Sequence, residues 1–246
     1  MAEGIKETTP RFKARIAGFI YLVTIVTGIF GEGFVRGRLV VDSDAATTAT
    51  NILAHESLFR LGFVAVLVGT ACYVAVTALL YALFKPVNPG LSLLAAFFSL
   101  VGCAIWAFGC VFDLAVFVVL GGAQYLSVFK PEQLQALALM FLKLNGEAFG
   151  VGMVFFGFYC LLIGYLIFRS TFLPRIVGML MALAGLGHLI GMFANFLSPA
   201  FADHLFPYIL WPGLLGEGSL TLWLLVMGVN TSRWKEQVSA ARMTNL

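Results

Sequence analysis

Six residues that ionise or hydrogen-bond strongly stand inside stretches otherwise built from hydrocarbon side chains and glycine: Glu32, Asp113, Glu147, His188, Asn195 and Glu217. Carboxylates and an imidazole in such surroundings are the raw material of proton-binding, ion-binding or acid–base sites, because each can exchange a proton or offer lone pairs to a cation. Arg36 and Arg60 stand close to the ends of apolar runs, Arg36 four residues after Glu32, and are candidates for structural ion pairs that pin helices together. No HExxH or GxSxG motif accompanies them, and no CxxC pair occurs. His188 has no second histidine three or four residues away, and Cys72, Cys103, Cys110 and Cys160 lie in apolar runs where a thiol packs as a small hydrophobe. Local spacing therefore predicts neither a metal site nor a cofactor.

The elements that must position these residues follow from composition. Of 246 residues 61% are hydrophobic and 11% charged, against about 45–50% apolar and about 25% charged in soluble domains, so a water-soluble domain is excluded. Runs of about 20 apolar residues, the length that crosses about 30 Å of hydrocarbon, fall at approximately 16–35, 58–84, 91–120, 148–168, 176–197 and 208–230. The expectation is an all-α polytopic membrane helix bundle with six transmembrane helices, formed as a single membrane domain over residues 1–246. Its main partner is the lipid bilayer. A net charge of +3 without a clustered basic face excludes nucleic acid.

Sidedness is read from the basic residues. Ten (Lys6, Arg11, Lys13, Arg15, Lys85, Arg169, Arg175, Arg233, Lys235, Arg242) fall on the side that holds both ends of the chain, and Arg36, Arg38, Arg60, Lys130 and Lys143 on the other. The positive-inside rule then places both termini in the cytoplasm and the protein in the cell membrane. On that orientation the acids lean to the outer side. An isolated charge in the membrane costs about 2.5–3.5 kcal/mol by insertion scales, so several together call for a polar cavity, mutual pairing or protonation.

Helical spacing predicts that these groups face inward. Thr24, Gly28 and Glu32 repeat every four residues; Ser99, Gly102, Trp106, Gly109 and Asp113 form a row. Glu147, Gly150, Val154, Gly157 and Gly164 form another, as do Gly178, Gly185, His188, Met192 and Asn195, and Gly213, Glu217, Thr221 and Gly228. Small residues mark faces that pack closely. Gly187 and Gly191 have GxxxG spacing, which suits helix packing or a homo-oligomer. Between the first two spans, Ser43 or Asp44 can cap a helix beginning near Ala45, and the segment from Pro131 is expected to extend the fourth span outward, with Gly146 and Gly150 permitting a kink.

The stretches RIAGFIYLVTIVTGIFGEGFVRGRLVV, DAATTATNILAHESLFRLG, LYALFKPVNPGLSLLAAFF and EGSLTLWLLVMGVN resemble the bacterial membrane family called domain of unknown function 4386. The resemblance covers nearly the whole chain and implies a six-span membrane protein of about this length, with Glu32, Arg36, Asp44, Asn51, Arg60, Lys85, Pro86 and Glu217 inside its recognisable segments; it implies no activity, substrate or cofactor. The residues themselves favour binding or passage of a small solute, ion or proton in a polar cavity of the outer half, lined by Asp113, Glu147, His188, Asn195 and Glu217. The alternatives are an intramembrane enzyme acting on lipid, metal-dependent if Asp113, His188 and Glu217 meet, and a non-catalytic scaffold or sensor held by Arg36 and Arg60.

Overall fold

The computed structural model describes residues 9–244, so that Lys6, one of the ten inner-side basic residues, lies outside the described residues. Within them the chain is helical and contains no strand. The helices are α1 (Pro10–Leu39), α2 (Ala45–Ala54), α3 (Glu56–Phe84), α4 (Pro89–Leu120), α5 (Pro131–Arg169), α6 (Arg175–Leu197), α7 (Pro199–Leu205), α8 (Leu210–Val226) and α9 (Thr231–Thr244). Proline opens α1, α4, α5 and α7, the position where its missing N–H costs no intrahelical bond.

Five of these helices (α1, α3, α4, α5 and α6) are long and apolar enough to cross a bilayer. The sixth crossing is a bent pair: α7 and α8 meet at 58° and make one span only if taken together. The predicted run of 208–230 holds α8 alone, with α7 in the connection before it; Pro207 falls in the break between the two helices and has no N–H with which to continue a helix. Helix α5 runs unbroken past Gly146 and Gly150, and the segment from Pro131 continues the fourth span as one helix. Helix α2 starts at Ala45 with Asp44 as its cap, the carboxylate accepting from the Thr47 amide at 2.9 Å and the Thr47 hydroxyl at 2.6 Å. Those two bonds hold the Asp44 carboxyl below the usual aspartate range.

Packing divides the chain into two compact units. The first comprises the described residues of Met1–Leu22, Val74–Leu100 and Met153–Leu246, and the second Val23–Tyr73 and Val101–Gly152. In the first unit α5 and α6 approach backbone to backbone: a Cβ on Gly164 would lie 2.7 Å from the Gly178 carbonyl oxygen, and one on Gly185 2.6 Å from that of Gly157. Only glycine permits such contact. Arg11 and Arg15 donate to the carbonyls of Met227 and Val226 at 3.1 and 2.8 Å, satisfying the free carbonyls at the end of α8. The second unit packs around Val35, Leu39, Ile52, Phe59, Val116 and Leu142.

Helix α1 contains a π-helical stretch, Ile29–Arg36. Its wider turn shifts the register, so that the close contact is made by Gly31, whose Cβ would lie 2.5 Å from Val66, whereas Gly28 faces open space. The row expected through Gly28 is thus displaced, with Gly31 and Val35 buried and Glu32 and Arg36 partly so.

Candidate functional site

In the first unit, α8 carries Glu217 and α6 carries His188. His188 Nε2 lies 2.9 Å from Glu217 Oε1, and the phenol of Tyr21, on α1, donates to the other carboxylate oxygen at 2.8 Å. Tyr21 is fully buried, and the side chains of His188 and Glu217 are 14% and 21% exposed. Glycine makes room for this arrangement: a Cβ on Gly213, one turn before Glu217, would fall 2.6 Å from His188 Cε1. Among the described residues no lysine or arginine comes within ion-pair distance of Glu217. Among the described residues, a charge on this carboxylate is therefore balanced only by a proton on His188, unless a cation is bound there.

Cys160, fully buried on α5, completes a group with His188 and Glu217 in which one donor atom from each lies within 4.8 Å of the others. These three residues could hold a metal ion. Sequence spacing does not show the set because each ligand comes from a different helix.

The second unit gathers a different cluster. Arg36 Nε is 4.0 Å from Glu32, its guanidinium donates to Asn145 Oδ1 at 3.0 Å, and it also donates to the Leu142 carbonyl. The Asn145 amide in turn donates to Asp113 Oδ2 and to the Gly109 carbonyl, each at 3.0 Å. Asp113 and Asn145 are buried. Glu32, Arg36 and Asp113 border a cavity of about 20 Å³, enough for about one water.

Of the residues singled out by sequence, His188 and Glu217 meet in the first unit, and Glu32, Arg36 and Asp113 in the second. Glu147 and Asn195 join neither set and are exposed. Glu147 is two residues from Asn145, about 200° around the helix, so burying the amide turns the carboxylate outward. Asn195 stands two residues from the end of α6. Arg60 pairs within its own helix, 2.6 Å from Glu56, and lies over the Phe117 ring at 4.3 Å. The GxxxG face of Gly187 and Gly191 is taken up within the chain, against Pro212 and Ile209.

Sequence spacing singles out neither Tyr21 nor Asn145 at these sites, and it gives Cys160 only as a packing thiol. Tyr21 extends the Thr24–Gly28–Glu32 row by one turn, and Cys160 sits between Gly157 and Gly164 on theirs, so both carried a positional signal. Asn145 lay on no such row.

A family model described as "Domain of unknown function (DUF4386)" matches residues 16–228. An uncharacterized protein of Archaeoglobus fulgidus is similar as well, 24% identical over 155 residues that cover 63% of this chain and 76% of that one. No solved structure matches. The match covers α1 from Ile16 onward and the whole of α2 to α8, and includes all four residues of the Tyr21–Cys160–His188–Glu217 group.

Proposed function

The chain belongs to the family described as a domain of unknown function (DUF4386), and for this integral membrane protein we propose that it binds a small cation inside its first unit, at Glu217 and His188. The observation that carries the reading is a carboxylate with a phenol donor on one oxygen and an imidazole on the other, and no lysine or arginine in reach among the described residues. Withdrawn from water, such a group is stabilised by any positive charge it can recruit. Both side chains are only partly buried, at 14% and 21% exposed, which leaves them free to turn toward an ion. Orientation with the ends of the chain on the cytoplasmic side of the cell membrane belongs to the same proposal, supported by ten basic residues against five.

For the second unit we propose a structural role. Arg36 brings a permanent charge to Glu32 and is tied through Asn145 to Asp113, around a space of one water. Such a closed network holds helices together and leaves no room for a solute.

The test is thermal unfolding of the detergent-solubilised protein across chloride salts of sodium, potassium, magnesium, calcium, manganese and zinc. At a hundredfold excess over Kd a bound cation stabilises the fold by about 2.7 kcal/mol. At least one salt is expected to do so saturably for the wild type and not for Glu217→Gln. A uniform response to all six, or a response that Glu217→Gln retains, overturns the reading.

A further inference from the structure

We infer that the cation held in the first unit is a soft divalent transition-metal ion of the zinc class, bound by Cys160 Sγ, a ring nitrogen of His188 and a carboxylate oxygen of Glu217. The inference rests on the cation-binding reading above and names the ion.

The choice of ion follows from the donors. A hard cation such as sodium, magnesium or calcium takes oxygen ligands, in sixes or more for calcium and magnesium; here one carboxylate, one imidazole and one thiol converge, which is the mixed nitrogen, sulfur and oxygen set that zinc accepts. The three donor atoms lie within 4.8 Å of one another. A tetrahedral ion with bonds of about 2.0–2.3 Å separates its ligands by about 3.3–3.8 Å, and rotation of the part-exposed His188 and Glu217 side chains covers the difference. Cys160 is fixed at the buried end of the group and the other two stand at its exposed end, so an ion arriving from outside meets the carboxylate and imidazole before the sulfur.

Binding replaces the 2.9 Å contact between His188 and Glu217 with two bonds to the metal. The Cys160 thiol loses its proton to solvent as the sulfur–metal bond forms, and no electron is transferred. Tyr21 keeps its hydrogen bond to the second carboxylate oxygen and orients Glu217, the part that outer partners commonly take at metal sites. Three protein ligands leave a fourth position for water, the pattern of zinc sites that exchange or act on a ligand. Thr221, about 6 Å along α8 from Glu217, has a buried hydroxyl with no hydrogen-bond partner among the described residues, and a water on the ion gives it one.

The experiment is elemental analysis, together with cobalt(II) absorption, on protein purified without a histidine tag, stripped with chelator and reloaded. One zinc per chain is expected, and the stripped protein loaded with cobalt should show a near-ultraviolet sulfur-to-metal charge-transfer band that added zinc abolishes. Cys160→Ser and Cys160→Ala should lose that band and weaken zinc binding by at least about tenfold, with an unchanged elution profile and unchanged metal-free unfolding temperature. Cobalt binding without the band, or full affinity in both cysteine variants, overturns the assignment of Cys160. Binding of sodium or calcium that Glu217→Gln abolishes, with no zinc or cobalt taken up, overturns the soft-metal assignment and leaves the cation reading standing. Binding of none of these ions overturns both.

Discussion

Arg36 in the second unit and His188 in the first face the same problem, acids withdrawn from water, with different chemistry. The guanidinium is charged at every accessible pH and its planar fork of donors is spread over Glu32, Asn145 and the Leu142 carbonyl. The imidazole presents a single nitrogen to a single carboxylate oxygen and carries charge only when protonated. A permanent, many-armed cation in a space of about one water makes a clamp. A conditional, one-armed partner beside a part-exposed carboxylate makes a site that an incoming ion can enter. The comparison teaches that an acid within a membrane bundle is informative chiefly through what balances it.

Breaking the clamp should have the largest effect. Arg36→Met leaves the part-exposed Glu32 without its cation and removes the guanidinium hydrogen bonds to Asn145 and the Leu142 carbonyl, each worth about 1.5–3 kcal/mol, for a loss of about 3 kcal/mol or more. Urea or thermal unfolding in detergent checks this, and a loss below about 1 kcal/mol would show that Arg36 clamps nothing. Because the clamp holds no exchangeable ion, the loss should be the same with and without added metal.

Tyr21→Phe probes the other side of the comparison with an intermediate effect. It removes a hydrogen bond to a carboxylate, worth about 1.5–3 kcal/mol, while leaving the ring in its buried position. If Tyr21 orients Glu217 for an ion, cation affinity also falls by about tenfold. Stability lost with affinity intact would reduce the phenol to a packing group.

The smallest effect belongs to an acid that needs neither kind of partner. Asp44 is solvent-exposed and held below the usual range first by the Thr47 hydroxyl and then by the Thr47 amide. A depressed carboxyl pKa contributes stability that is present above the unfolded-state value and is lost as pH falls through the lower folded-state value. Amide exchange in the first turn of α2 should therefore accelerate in wild type only under acid conditions and already at neutral pH in Asp44→Ala. Faster exchange of the wild type on raising the pH, after correction for intrinsic rates, would contradict the sign.

What was legible in the sequence divides along physical lines. Five membrane helices were visible because about twenty apolar residues in a row have few other fates, and the α2 cap because Ser43 and Asp44, side chains that accept from free helix N–H groups, stand just before Ala45. The bent pair was hidden because Asp203 and His204 mark the stretch before Pro207 as a connection, so that only the run after it, 208–230, reads as a span. His188 and Glu217 were singled out because charge in such runs is rare. Cys160 was read as packing because thiols usually are, and it becomes notable only when α5, α6 and α8 bring three donors together. Glu147 misled for the same reason that Asn145 was missed: spacing finds a face, but which of two neighbouring polar residues takes it depends on the partners across the gap.

The central claim is that Glu217, and not Glu32, takes its balancing charge from an exchangeable cation. Cation-dependent thermal stabilisation measured side by side on Glu217→Gln and Glu32→Gln tests it most directly. The account predicts a flat response in Glu217→Gln and a wild-type response in Glu32→Gln, with the latter shifted only in its baseline stability. Stabilisation that survives in Glu217→Gln or disappears in Glu32→Gln would contradict it.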